Sequence, residues 1–234
     1  MSLLIRSWNI HHGMTSPHTR RNYLEQGVRL ISSDHPDIVC LQEVPLWGRY
    51  HLEGWSDMRM VCNSTRRVWF PPRLGGWITR LDQGFFRSAV SGQANAILLD
   101  HRLQPLERRW KVISRGWRER RICQAVRVQG IVIANLHASG VAGNPEVGAA
   151  ETLRALTFAE SLTQPGDVLV FAGDFNLSPK QLPDLPAFSP PGPGIDHILV
   201  RGVEASALWV WPEAQRTIDL GLLSDHAPLE LRVG

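Results

Sequence analysis

Asp167-Val168-Leu169-Val170-Phe171-Ala172-Gly173-Asp174-Phe175-Asn176 runs from a continuous apolar stretch straight into a polar end. A short apolar run bounded by turn residues is the pattern of a buried strand. Strand side chains alternate with period two, so Asp174 and Asn176 are expected on one face at a sheet edge. Further along, Ser224-Asp225-His226 opens another apolar run and brings a second carboxylate and an imidazole to a strand end. Carboxylates, a carboxamide and an imidazole gathered there suit metal-assisted phosphoester hydrolysis. Hard oxygen ligands hold Mg²⁺ or Mn²⁺, and an imidazole takes a proton from water near neutral pH.

Outward from this stretch the chain reads as alternating strands and a few helices. Leu3–Ile10, Asp37–Leu41, Ala94–Leu99, Ile122–Val128, Ile131–Leu136, Val168–Ala172, Ile195–Val200, Ala207–Trp211 and Ala227–Val233 are expected strands. Val128-Gln129-Gly130-Ile131 reads as a hairpin turn. Residues Arg20 to Ser33 read as a helix, with Leu24, Val28 and Ile31 on one face and Pro36 beyond its end. Pro145 to Thr163 reads as a second helix with Pro in its first turn and a core stripe of Ala150, Leu153, Ala159 and Leu162. Trp47 to Gln93 is the least regular region, with short strands expected near Met58–Cys62 and Val68–Phe70 and a loop at Pro71–Gly76. Ser178–Gly194 is rich in Pro and expected to run over the surface. Helices separated by strand pairs predict an α/β fold of two packed sheets with helices outside.

The bulk properties set limits. The 234 residues are expected to form one domain over 1–234, and 43% hydrophobic content is enough for a sizeable core. No run approaches the roughly 18 apolar residues of a membrane span, and no signal peptide is read at the N-terminus. Cys40, Cys62 and Cys123 lack metal-ligand spacing; Cys40 and Cys123 lie in apolar runs as buried thiols, which favours a reducing, cytoplasmic setting. The net charge is +3 and the basic residues are nearly all arginine, which pairs bidentately with phosphate. A charge this small is met equally well by an ordinary solvated face.

The polar residues at strand ends are, in order, Asn9, Glu43, His137, Asp174 with Asn176, Asp196, and Asp225 with His226. Any one of them is unexceptional where a strand ends; as a set they are expected to converge on one pocket, since strand ends in layered sheet proteins lie together. The ordered segments Trp8-Asn9-Ile10, Leu41-Gln42-Glu43-Val44, Asn135-Leu136-His137, Gly173-Asp174-Phe175-Asn176, Ile195-Asp196-His197-Ile198-Leu199 and Ser224-Asp225-His226-Ala227-Pro228 resemble the endonuclease/exonuclease/phosphatase superfamily, which includes deoxyribonuclease I. The resemblance spans nearly the whole chain. It implies a four-layered α/β sandwich, two mixed sheets face to face with helices outside, and a site at one end of the sheets.

The resemblance also implies roles. Glu43 would be the main ligand of Mg²⁺ (or Mn²⁺), with Asn9 and Asp225 nearby. Asp196 would fix the tautomer of His226, which would act as base toward water or stabilise charge as imidazolium. Asp174 and Asn176 would orient the nucleophile and a phosphate oxygen, and His137 would contact the phosphate or protonate the leaving oxygen. Abasic-site endonucleases of the exonuclease III type usually carry tyrosine where this chain has His137. Arg118-Glu119 resembles a substrate-contacting Arg-Glu pair of deoxyribonuclease I, whereas Pro45 stands where that enzyme has a DNA-contacting arginine. Asn95, in Gly92-Gln93-Ala94-Asn95-Ala96-Ile97-Leu98, is a candidate substrate-binding residue with Arg118. His11 or His12 is expected near a metal-bound water or phosphate, and His197 is expected to be structural. Trp110 and Trp117, flanked by Arg108, Arg109, Lys111, Arg115, Arg118, Arg120 and Arg121, are the tryptophans best placed for base stacking. Two enzymatic expectations follow: a nuclease acting on DNA or RNA, or a phosphoesterase acting on a small molecule or lipid. A non-enzymatic binding module would have no use for base, orienter and metal ligand together.

Overall fold

A computed structural model describes residues 2–65, 71–83, 92–115 and 120–234. The expected strand at Val68–Phe70, and Trp117 with Arg118, lie outside the described residues.

Two sheets form the centre. The first contains β1 (Leu3–Asn9), β3 (Ile38–Pro45), β4 (Arg59–Ser64), β5 (Gln93–Leu99), β11 (Trp209–Val210) and β14 (Leu229–Val233), in the order β11-β14-β1-β3-β5-β4. The second contains β6 (Glu107–Val112), β7 (Ile122–Val128), β8 (Ile131–His137), β9 (Val168–Asp174) and β10 (Asp196–Arg201), in the order β10-β9-β8-β7-β6. Each sheet is mixed: β1 with β3 and β8 with β9 run parallel, and the other neighbours are antiparallel. A small third sheet joins β2 (Thr15–Ser16), β12 (Thr217–Ile218) and β13 (Gly221–Leu223).

The core has three layers of apolar contact, which makes the fold a four-layered sandwich. Between the sheets lie Ile5, Ile38, Ile97, Val126, Ile133, Val170 and Ile198 with Cys40. Outside the first sheet, α1 (Leu24–Ile31) places Leu24, Val28 and Ile31 against Val39, Leu41 and Leu98, beside α2 (Leu52–Ser56). These three side chains are fully buried, a gain of about 1.5–3 kcal/mol each. Outside the second sheet, α4 (Pro145–Glu160) packs Ala155, Leu156, Phe158 and Ala159 onto Phe171 and Leu136. Among the described residues, no helix is long and apolar enough to cross a membrane.

Several expectations are corrected. The first helix is shorter than Arg20–Ser33; it begins at Leu24, whose N–H is taken by the Asn22 side chain. Leu153 is exposed rather than in the α4 stripe, because the buried face runs through Thr152, Ala155, Leu156 and Ala159. Pro71–Gly76 is not a loop: α3 (Pro72–Leu81) starts there, with Pro72 in the first turn, where its missing N–H is no loss. The expected strand Ala207–Trp211 narrows to β11, and β6 forms where no strand was read. The hairpin between β7 and β8 turns through Gln129 (φ 34) and Gly130 (φ 82), the two positive angles a tight hairpin favours.

Candidate active site

The C-terminal ends of β1, β3, β8 and β9 lie together, since β1 pairs with β3 and β8 with β9 in parallel. Asn9, His137 and Asp174 are the last residues of their strands. Asp196 opens antiparallel β10 directly opposite Asp174. The sheets are tied here by a buried amide pair that sequence reasoning passed over. Gln42 Nε2 donates to Asn135 Oδ1 at 2.8 Å, and Asn135 Nδ2 donates to the carbonyls of Leu41 and Ala96 at 2.9 Å each.

Glu43 owes its position to a bulge. Leu41 pairs with Ala96 and Val44 with Ala94, so Gln42 and Glu43 together face one residue, Asn95. Glu43 takes a left-handed backbone (φ 55), and a bulge of this kind re-aims a side chain. Its carboxylate meets His12 Nε2 at 2.9 Å (Oε2) and His137 Nε2 at 3.6 Å (Oε1). Burial disfavours the charged form, but the His12 hydrogen bond and, at the low pH where Glu43 would protonate, the imidazoles of His12, His137 and His11 outweigh it and hold the carboxyl well below its ordinary range. His11 Nδ1 lies 3.1 Å from Asp225 Oδ1. The turn after β1 thus touches both carboxylates, Glu43 through His12 and Asp225 through His11.

Asp174 is buried at 1% exposure. Its Oδ2 accepts from Asn9 Nδ2 at 2.9 Å and its Oδ1 from the Asn176 N–H at 2.9 Å. Asp174 and Asn176 are therefore paired by a turn, not by strand alternation: β9 ends at Asp174, Asn176 is left-handed (φ 52), and its Nδ2 donates to the Ala138 carbonyl. Burial first, then the nearby Asp196 charge, raises the Asp174 carboxyl to about 7.

His226 Nδ1 lies 2.7 Å from Asp196 Oδ2, and its Nε2 lies 3.9 Å from Asp174 Oδ2 and 3.9 Å from Asp225 Oδ1. Burial opposes its charge, yet the Asp196 hydrogen bond and the three carboxylates raise the imidazole to about 9. The backbone here is pinned from several sides. Trp8 Nε1 and Arg216 Nη1 both donate to the His226 carbonyl, Arg216 Nη1 also to that of Ser224, and Ser224 Oγ donates to the Asn9 carbonyl.

His137 faces a different partner. Arg121 Nη1 lies 2.8 Å from its Nδ1 and 2.9 Å from its Nε2. Guanidinium only donates, so the ring can accept one of these contacts. Burial, then the Arg121 charge, pushes His137 down to about 3. Sequence reasoning singled out Arg118, outside the described residues; the arginine brought to the site is Arg121, and its signal was its place immediately before the β7 run. Asn95 is buried at 1% exposure, with Nδ2 donating to the Ile122 carbonyl across the sheets, so its amide joins β5 to β7. His197 is fully buried on the other face, with Nε2 2.8 Å from the Leu177 carbonyl.

Among the described residues, Asp174, Asp196 and His226 bring ligand atoms within 4.8 Å of one another, a set that could hold a metal ion. The 2.7 Å Asp196–His226 contact is a hydrogen bond, which leaves that pair occupied with each other. Glu43 and the half-exposed Asp225, both held ionised, offer the hard oxygen atoms a divalent cation needs. Beside Asp196, Asp225 and His226 opens an apolar cleft of about 410 Å³, lined by Ile195, Val210, Ala227 and Leu229.

Known structures share this architecture. The chain is similar to a truncated Caenorhabditis elegans TDP2 at 14% identity, over 100% of this chain and 97% of that one, with a TM-score of 0.72. It is similar to a functionally unknown conserved protein from Enterococcus faecalis V583 at 16% identity, over 99% of each chain, with a TM-score of 0.72. A D. rerio TDP2 complexed with single-strand DNA product matches at 16% identity, over 100% of this chain and 99% of that one, with a TM-score of 0.65. At such identities the likeness is one of fold. No curated protein matches by sequence. The sequence model of one family, however, matches residues 7–226, which takes in every site residue from Asn9 to His226. The chain belongs to the Endonuclease/Exonuclease/phosphatase family.

Proposed function

We propose that the protein is a divalent-metal-dependent phosphodiesterase that hydrolyses nucleic acid, DNA or RNA, by attack of water. The observation that carries this reading is the His226 imidazole held between Asp196 and Asp174. With its pKa near 9 and that of Asp174 near 7, the two groups carry opposite charges between those values. Asp174 then receives the proton of the attacking water as the phosphorus–ester oxygen bond breaks, with Asn176 and Asn9 fixing the carboxylate; the leaving oxygen takes a proton from solvent, and His226 stabilises the charge that grows on the phosphoryl oxygens. His137 is neutral and serves as a hydrogen-bonding contact rather than an acid, and Arg121 beside it supplies positive charge for a phosphate. Glu43, with Asp225 and Asn9 nearby, would hold Mg²⁺ or Mn²⁺. A bound divalent ion would neutralise phosphate charge and orient the ester.

Nucleic acid is favoured over other phosphodiesters by the surface of β6. Arg108, Arg109, Trp110 and Lys111 are all exposed on this edge strand, and the Arg120 guanidinium sits 5.2 Å from the Trp110 ring centroid. A cationic strip with an exposed indole suits a backbone and its bases. The DNA product held by the D. rerio TDP2 neighbour supports the same reading. The apolar cleft beside His226 favours a second reading, a small or lipid phosphoester. A panel of plasmid, single-stranded oligonucleotide, sphingomyelin and a phosphomonoester, with Mg²⁺, Mn²⁺ or EDTA, tests both. Metal-dependent cleavage of plasmid or oligonucleotide is expected. Turnover of sphingomyelin or the monoester alone would select the second reading, and full turnover in EDTA would reject the metal.

A further inference from the structure

His12 follows β1 in a left-handed turn (φ 55) and is 7% exposed. Its carbonyl is anchored by Asn22 Nδ2 at 3.0 Å and Gln83 Nε2 at 3.4 Å. Its ring meets Glu43 twice: Nδ1 lies 2.9 Å from the Glu43 main-chain carbonyl, and Nε2 lies 2.9 Å from Glu43 Oε2. A carbonyl oxygen only accepts, so in a neutral imidazole Nδ1 carries the proton and donates it there. Nε2 then turns a lone pair toward a carboxylate oxygen that also has only lone pairs. Two such atoms at this distance need a cation against both: a proton on Nε2, which makes the contact an ion pair, or a metal ion in the proton's place. Ligand atoms held about 2.1 Å from one ion and at right angles stand about 3.0 Å apart, so the observed separation fits a shared ion. The orientation fits as well, because a metal-binding histidine characteristically donates its other ring N–H to a carbonyl or carboxylate. Here that carbonyl belongs to Glu43 itself, so one residue both aims the imidazole and supplies the neighbouring oxygen.

We propose that His12 Nε2 is a metal ligand alongside the Glu43 carboxylate, and that this nitrogen makes the centre prefer a first-row transition ion such as Mn²⁺ over Mg²⁺. The inference rests on the proposed ion at Glu43 and adds its second protein ligand and its selectivity. Mg²⁺ favours oxygen ligands and retains several waters, whereas imidazole adds affinity for transition ions. The His11 ring, by comparison, meets the Asp225 carboxylate and packs against His12 and His18, and is not part of the Glu43 pair.

The test is Mn²⁺ and Mg²⁺ binding to the full chain by calorimetry, with pulsed electron paramagnetic resonance of bound Mn²⁺ to detect coupled nitrogen. His12→Asn is the informative variant. Asparagine tolerates the left-handed backbone, and its short amide still reaches toward the Glu43 carbonyl, so mainly the Nε2 position is lost. The wild-type protein is expected to bind Mn²⁺ more tightly than Mg²⁺ and to show imidazole nitrogen coupling. His12→Asn is expected to lose that coupling and about 10–100-fold in Mn²⁺ affinity, with Mg²⁺ affinity little changed; His11→Asn should keep the coupling. Absence of nitrogen coupling in the wild-type spectrum, which needs no variant, would overturn the proposal. So would unchanged coupling in folded His12→Asn, leaving His12 as an ion-pair partner of Glu43. Glu43→Gln separates the two levels of inference: wild-type Mn²⁺ affinity in that variant would mean the ion is not at Glu43, and the metal assignment itself would fall.

Discussion

Asp196→Asn preserves the shape of the side chain and removes one charge from His226. The two groups are 2.7 Å apart, and Asp196 makes the leading favourable contribution that, against burial, lifts the imidazole from 6.5 to about 9. At pH 8 a group of pKa about 9 is roughly 90% protonated, and one returned to 6.5 is roughly 3% protonated. If His226 works as imidazolium, the variant should lose up to ~30-fold at pH 8 from protonation alone. That figure is a ceiling, because Asp174 and Asp225 still face the ring. At pH 6 both rings are mostly protonated, and the loss from this cause shrinks to below about 1.5-fold. Asp196 also helps raise Asp174, after burial, so its removal should let Asp174 ionise at lower pH. Both limbs of the kcat/KM profile should therefore move to the acid side. The assay is kcat/KM on the best substrate of the panel from about pH 5 to 10 at saturating metal. An equal loss at every pH, with unmoved limbs, would refute the reasoning and leave Asp196 as a mere support for the ring.

Other outcomes follow from the same geometry. Asp174→Asn should lower kcat by about 10²–10⁴ with the fold intact by circular dichroism; near-normal turnover would remove Asp174 from the chemistry. Trp110→Ala and Arg120→Ala should weaken oligonucleotide binding, and Arg120→Ala should flatten its salt dependence by about one phosphate contact, so wild-type KM at every salt concentration would exclude β6 from the substrate path. In EDTA, thermal stability should peak near mildly acid pH. His226 and Asp174 have raised values, so their stabilisation is lost as pH climbs through about 7 and then 9. Glu43 and Asp225 have lowered values, so theirs is lost on acidification. Metal at 100 times its Kd should restore about 2.7 kcal/mol, and a melting temperature indifferent to both pH and metal would contradict the site as described.

What the sequence made legible is what depends on local pattern. The strands of the central sheets are continuous apolar runs, and Leu24, Val28 and Ile31 are spaced so that a helix must bury them together. The ordered polar motifs marked strand ends, and parallel pairing does bring Asn9, Glu43, His137 and Asp174 to one end of the molecule. What stayed hidden depends on partners distant in the chain. β6 has no apolar alternation, since it is an exposed edge whose only reason to be extended is its ladder with β7. The Gln42–Asn135 bond joins residues from different sheets. Arg121 was one of a run of arginines until β7 placed it on His137. Asp174 and Asn176 were expected together for a sound reason that was not the operative one: period-two alternation would pair them, but the chain leaves the strand and the turn pairs them instead.

The backbone explains why the site in particular resists local reading. Of the ten described non-glycine residues with positive φ, five are His11, His12, Glu43, Asn176 and Ser224, all in or beside the cluster. Each such conformation opposes folding by ~1–3 kcal/mol, so no propensity would place these residues there. They are held by bonds that arrive from elsewhere: Ser224 Oγ to the Asn9 carbonyl, Asn176 Nδ2 to the Ala138 carbonyl, Gln83 and Asn22 to the His12 carbonyl. Regular strands would turn alternate side chains away from one another. Breaking the strand geometry at these points is what lets Glu43, Asp174, Asp225 and His226 face a common space. The irregularity that defeats pattern reading is therefore the same feature that assembles the charges.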